Sequence, residues 1–193
     1  RSLAGFQKYS GDVKVIISDG EQRPNFGMVF QNPDLQLFNA SMRDELLYRI
    51  PNPDIPYFNW LISALGLERY ENTPPLLLSE GEKKRVTLGV ALMRRPAHGL
   101  LLDEPSLGQD IIHKTILIRL LRTLADAGQL VMMTTHDLNL ASHADRLILL
   151  GPSGEIIADG LTEAVLQDSF AWQKTGITLP NWFLRQREAG AAK

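Results

Sequence analysis

The chain has no cysteine among its 193 residues. That excludes disulfides, thiolate-ligated zinc and a thiol nucleophile, and it suits a reducing compartment. Long apolar runs are missing too. None approaches the roughly 18 residues that a membrane-spanning helix requires, so any membrane role goes through a partner. No signal-peptide pattern opens the sequence. Charge of one sign is also missing: 20 basic residues stand against 22 acidic ones, for a net charge of -2. With no dense basic tract longer than Lys83–Arg85, the balance does not point to a nucleic-acid face. No internal repeat and no low-complexity segment interrupts the chain.

What is present suffices for a core. Hydrophobic residues make up 44% of the sequence, so one large domain, or a core carrying a subdomain, is expected. RSLAG at the start reads as a helix tail stopped at Gly5. VKVIIS, Val13 to Ser18, reads as a β-branched strand, and the DGEQ after it as a turn. FGMVFQNP holds a short apolar strand, Met28–Phe30, closed by Asn32 and Pro33. From there to about Arg95 helical spacing takes over. Ser41 and Asp44 suit a helix start as cap and first-turn acid. Phe58, Leu61, Ile62 and Leu65 share one helix face, with Gly66 as the stop. YENTPPLLL is a proline-broken loop, and LSEGEKKRVTLGVALMRRP a helix opened by Ser79 and stopped near Pro96.

Beyond Pro96 strands and helices alternate. GLLLDEP reads as a buried strand, QDIIHKTILIRLLRTLADAG as a long amphipathic helix ending at Gly128, and QLVMMTTH as a second buried strand. DLNLASHAD is a short helix, RLILL and EIIADG form a hairpin around GPSG, and TEAVLQDS reads as helix. This alternation predicts an α/β fold with a mostly parallel sheet covered on both faces.

Three strand ends carry the candidate chemistry. Asp103 closes GLLLD at the carboxyl end of a strand, where open α/β sheets bind ligands. A carboxylate there can hold Mg²⁺, and Glu104 next to it can orient and deprotonate a water. His136 follows the second buried strand and can contact a phosphate or place the water; Gln31 follows the earlier strand Met28–Phe30 and can ligate Mg²⁺. Each has a plainer reading, as a solvated turn, a structural histidine or a loop amide. LSEGE is double in the same way. Ser79 and Glu82 form a capping box pattern, which explains the stretch by itself. The same helix end, with Gly81 allowing close approach, also suits a phosphate. Physical reasoning on these residues leaves that choice open.

The order of these stretches resembles the ATP-binding subunit of an ABC transporter. VFQN resembles the Q-loop, LSEGE the signature usually written LSGGQ, and LLLDEP the Walker B strand. SLGQD resembles the D-loop, and TTHD the switch histidine. Order and spacing match from about Arg1 to Leu166. FQNPDLQLFNASMRDEL further resembles the energy-coupling-factor branch, whose relatives import vitamins and metal ions such as cobalt or nickel. The resemblance implies a P-loop NTPase (RecA-like) sheet with an inserted helical subdomain. It divides the chain into a partial nucleotide-binding core at 1–31, a helical subdomain with the signature at 32–95, a catalytic core at 96–160 and a C-terminal extension at 161–193. The ligands it implies are ATP and Mg²⁺. Asp103 and Gln31 would bind the metal, Glu104 would activate water, and His136 and Gln31 would place it. Ser79, Gly81, Glu82 and Asp110 would contact ATP. The implied partners are a second ATP-binding subunit and integral membrane subunits, at the cytoplasmic face of the cell membrane, with no nucleic acid. The sequence departs from the pattern at Glu80 (commonly Gly), Glu82 (Gln) and Gln109 (Leu).

One expected motif is missing. G-x-x-x-x-G-K-[ST], the Walker A loop that cradles nucleotide phosphates with backbone N–H groups, occurs nowhere in the 193 residues. In the family, RSLAG corresponds to the end of the helix that follows this loop. An amino-terminally truncated ATPase and a degenerate, non-hydrolysing partner subunit are the competing explanations, and the Arg start favours truncation. Either way the chain as it stands is expected to lack its own nucleotide half-site. A soluble ABC-type ATPase outside transport is a further alternative, disfavoured by the single cassette, the absence of heptads and the slightly acidic balance.

Overall fold

The structure is a computed structural model and describes residues 15–17, 20–22 and 25–177. The helix tail read at RSLAG and the uncharacterised tail NWFLRQREAGAAK lie outside the described residues. The chain divides into two compact units, with the boundary between Thr135 and His136. The helical segment expected at 32–95 falls in the first unit together with strands on either side of it.

In the first unit, β1 (Val15–Ile17) pairs antiparallel with β2 (Gly20–Gln22), Ile17 opposite Gly20. DGEQ is therefore not simply a turn. Its last three residues pair back as a strand, because a connection this short brings neighbouring strands together as a hairpin. The strand read at Met28–Phe30 lies slightly earlier, as β3 (Phe26–Val29). Three helices follow: α1 (Met42–Leu47), α2 (Ile55–Ala64) and α3 (Glu80–Met93). Then come β4 (Gly99–Asp103), α4 (Ile111–Asp126) and β5 (Leu130–Thr134). β3, β4 and β5 form one parallel sheet in that order, separate from the β1–β2 pair, with Val29 opposite Leu102 and Asp103 opposite Thr134.

The helices begin where the sequence marks them. Ser41 caps α1 by accepting a hydrogen bond from the Asp44 N–H at 3.1 Å, and Asp54 caps α2 through the Tyr57 N–H at 3.0 Å. Gly66 stops α2 with φ +63°, a conformation most side chains resist. Met42, Leu46, Phe58, Leu61 and Val86 are fully buried, so α1, α2 and α3 bring their apolar faces into one core. Glu45 is buried as well. Its carboxylate accepts the N–H groups of Phe38 and Asn39, both at 2.8 Å, and so fixes the loop ahead of α1.

The two apolar strands differ in burial. β4 is flanked on both sides, and Leu100 is fully buried. β5, read as equally buried, alternates instead: Leu130 is 52% and Met132 41% exposed. Among the described residues β5 ends the strand order, with a partner on one side only. An apolar run sets which residues suit burial but not where its strand lies in the sheet.

The second unit contains α5 (Leu138–Ala141), β6 (Arg146–Leu150), β7 (Ile156–Leu161), α6 (Thr162–Gln167) and α7 (Ser169–Thr175). β6 and β7 pair antiparallel, as the hairpin expected around GPSG. A small core of Leu149, Val165, Leu166, Ala171 and Trp172 sits against them. The Trp172 indole N–H donates to the Val165 carbonyl at 2.9 Å, satisfying the one polar atom of that side chain.

Leu100→Ala is expected to lower stability by about 3 kcal/mol, since a buried leucine at a central strand leaves a cavity that flanking strands cannot close. Urea unfolding of the variant checks this; a loss below about 1 kcal/mol would contradict the central placement of β4.

Candidate functional site

The site is built outward from the end of β4. Asp103 is the last residue of that strand, and its Oδ1 accepts the Thr134 hydroxyl at 2.6 Å from β5. Glu104 leaves the strand with φ +48°. For a residue with a Cβ this left-handed conformation costs about 1–3 kcal/mol unless neighbours enforce it. They do. The Glu104 N–H donates to the Thr134 carbonyl at 3.0 Å, and the Glu104 carbonyl accepts the Leu107 N–H at 3.3 Å. The same carbonyl accepts the Lys84 ammonium at 2.5 Å. At the tip, the Thr135 hydroxyl donates to Glu104 Oε2 at 3.4 Å. Two adjacent carboxylates are thus aimed separately, one by strand pairing and the other by a constrained turn.

The second half of the site is the first turn of α3. Both bonds of the capping box are present: the Glu82 N–H donates to Ser79 Oγ at 3.4 Å, and the Ser79 N–H donates to Glu82 Oε2 at 2.8 Å. Tyr70 donates its hydroxyl to Glu82 from the 3-10 turn Glu68–Tyr70. Partial burial works to raise the Glu82 carboxyl. The bonds from Tyr70 and Ser79 and the nearby Arg85 outweigh it and bring the group down to about 2. Gly81 has a structural reason to be glycine. A Cβ there would lie 2.7 Å from the Gly108 carbonyl oxygen, so the turn after Glu104 packs directly on the start of α3.

Lys83 and Lys84 carry α3 to both strand ends. Lys83 donates to Asp34 at 2.8 Å, in the 3-10 turn Pro33–Leu35 that follows Gln31. Lys84, 1% exposed, reaches Glu104. Burial lowers the Lys84 ammonium, and the carboxylates of Glu80, Glu104 and Asp103 oppose that shift. Gln31 lies two residues past β3 and is exposed, so parallel pairing brings it to the same edge of the sheet as Asp103. The loop holding it is closed by Gln36, whose amide donates to the Met28 carbonyl at 2.9 Å and accepts the Phe30 N–H at 2.8 Å.

Asp110 caps α4, accepting the His113 N–H at 2.9 Å; that bond and the nearby His113 ring hold its carboxyl below the usual range. His136 is exposed and opens the second unit. The structure thus assembles Asp103 and Glu104 with Lys84 and Thr134, and Ser79 and Glu82 with Tyr70. Lys84, Thr134, Gln36 and Tyr70 escaped sequence reasoning. Lys84 stands in the charged run Glu82–Arg85, and nothing in that run marks it as a buried residue.

A parallel sheet with an Asp–Glu pair at the carboxyl end of its central strand is consistent with an α/β domain of the P-loop NTPase fold, the fold of the solved structures it resembles. The sequence family described as ABC transporter matches residues 2–107, more than half of the chain, and the chain belongs to it. It is similar to the energy-coupling factor transporter ATP-binding protein EcfA of Methanocaldococcus jannaschii, with 32% identity over 83% of this chain and 59% of that protein. EcfA1 of Bacillus subtilis is 30% identical over 89% of this chain and 65% of its own length. The chain therefore spans about three fifths of the length of these relatives. Among solved structures, CbiO1 from Clostridium perfringens, part of the ABC transporter complex cbiONQ, is 26% identical with a TM-score of 0.62. The match covers 84% of this chain and 67% of that one. A dimeric ATP-binding cassette in a post-hydrolysis state, bound to ADP and phosphate, shares the fold at a TM-score of 0.65 and 24% identity, over 77% of this chain and 73% of its own.

The depressed Glu82 carboxyl carries a pH signature. Its folded value is about 2 against an ordinary 4.5, so its contribution to stability is complete above 4.5 and is lost as pH falls through about 2. Glu82→Gln is expected to flatten the fall of Tm with acid across that window. Thermal melts at a series of pH values measure it, and an unchanged acid limb would refute the assignment.

Proposed function

We propose that the chain is the ATP-binding and ATP-hydrolysing part of an ABC transporter of the energy-coupling-factor type, serving a vitamin or a metal ion. One observation carries the reading: two adjacent carboxylates, each separately oriented, stand at the carboxyl end of a buried central parallel strand. Phosphoryl transfer to water can use such a division of labour, with one acid for a divalent cation and one for the nucleophile.

The donors present fit Mg²⁺, which takes hard oxygen ligands and binds through one or two carboxylates plus substrate phosphates. Asp103 and the Gln31 amide would hold it. When bound, it neutralises charge on the transferring phosphate. Glu104 takes the proton of the attacking water, and the turn that holds its backbone keeps it aimed. His136 is assigned to a phosphate contact on the motif TTHD alone. Ser79 and Gly81 present the start of α3 to the ATP of a second ATP-binding subunit, with Glu82 and Asp110 beside it. The helical segment 32–95 transmits closure of that pair to integral membrane subunits at the cytoplasmic face. Among the described residues no helix is long and apolar enough to cross a membrane, which is compatible with docking through such partners.

Without a Walker A loop in its 193 residues, the isolated chain is expected to show no saturable ATP binding at micromolar concentrations in calorimetry. A micromolar Kd would remove that part of the reading. In the membrane complex that contains this chain, Glu104→Gln is expected to lower ATP hydrolysis by at least about 10²-fold while ATP still binds. Hydrolysis at the full rate would defeat the assignment.

A further inference from the structure

We propose that Lys84 is a positioning residue that sets the aim of Glu104 by holding its main-chain carbonyl, and so ties the carboxylate to the signature helix α3. The proposal rests on the ATPase reading above for its functional half, and on geometry alone for its structural half.

The geometry is unusual for a lysine. Its side chain is 1% exposed, and a buried ammonium has to be paired. The oxygen that receives it, at 2.5 Å, belongs to the main chain of Glu104 and not to a carboxylate. Glu104 is also the residue that sits at φ +48°, where its carbonyl must be held for the turn to persist. On the other side, its N–H is fixed by the Thr134 carbonyl at 3.0 Å. With both main-chain polar groups held, the Cα–Cβ direction of Glu104 is set, and the carboxylate can only sweep its rotamers from that origin. One holder comes from the sheet and the other from α3. A shift of α3 therefore moves the base relative to Asp103, which is held by β5. Lys84 touches no reacting atom in this arrangement, so its effect is on rate and not on nucleotide affinity.

A plainer role, a lysine that only fills its cavity, makes a different prediction. The test uses the membrane complex that contains this chain and three variants. Lys84→Met keeps length and removes the donor. Lys84→Gln keeps a donor without charge, and Lys84→Arg keeps both. We expect Lys84→Met to lower kcat by roughly 10- to 100-fold, the scale of a small misplacement of a catalytic group, with KM for ATP within about twofold of wild type. Lys84→Gln or Lys84→Arg should recover part of that loss. A kcat for Lys84→Met within twofold of wild type, or a fall in kcat matched by a rise in KM and equal in all three variants, overturns the proposal. Hydrogen exchange in the 193-residue chain tests the structural half without turnover. The Leu107 amide, bonded to the same carbonyl, should exchange about tenfold faster in Lys84→Met than in wild type, while α2 amides stay unchanged. Equal Leu107 exchange also overturns it. If the wild-type complex hydrolyses no ATP, the ATPase reading falls, and the exchange result still decides whether Lys84 holds Glu104.

Discussion

The parallel pairing of β3 and β5 to β4 is the constraint on which the first unit depends. Parallel strands present their carboxyl ends on one edge, and the register fixes which residues meet there. With Val29 opposite Leu102 and Asp103 opposite Thr134, the residues after β3, β4 and β5 emerge at a common edge. A slip of one residue would turn each side chain to the other face, and the buried run Leu100–Leu102 would lose its packing. Position in the sheet thus precedes chemistry. Asp103 becomes a candidate metal ligand because its strand is central and its register pairs it with a threonine.

Helix α3 is the second organiser. It is buried on most of its surface and includes charged residues among the buried ones, so it behaves as an internal strut and not as a surface helix. Its first two turns make polar connections to separate places: Tyr70 through Glu82, Asp34 through Lys83, Glu104 through Lys84. Three successive residues point to three partners because each step rotates the side chain by about 100° around the helix. This economy depends on the helix starting at a fixed residue, which the Ser79–Glu82 capping box ensures.

Much of this was legible in the sequence. The caps at Ser41, Ser79 and Gly66, the apolar face of α2, the strand before Asp103 and the β6–β7 hairpin all follow local rules that hold over a few residues. Neither the exposure of β5 nor the pairing of Gly20–Gln22 could be read, since both depend on which strands lie alongside. The site divides the same way. The strand-end positions of Asp103, Glu104 and Gln31 were legible because strand ends are marked by a change from apolar to polar. The connections that orient them were not, because Lys84 and Glu104 lie 20 residues apart and Thr134 lies 31 from Asp103. Glu82 illustrates a residue with two readings. Its capping bonds to Ser79 follow from local spacing, while its bond to Tyr70 required the fold.

The contact between Gly81 and Gly108 has a consequence for anyone recombining such proteins. The Gly108 carbonyl of the turn after Glu104 lies directly over Gly81 at the start of α3, where there is no side chain to absorb an error. Gly108 is constrained in turn, at φ +76° with the Glu80 side chain beside it. The two stretches are thus complementary halves of one joint although 27 positions separate the glycines. A chimera that takes its LSEGE segment from one parent and its SLGQD segment from another would inherit a mismatched joint even if each segment were intact. Crossover points in this chain belong outside the interval from Ser79 to Asp110.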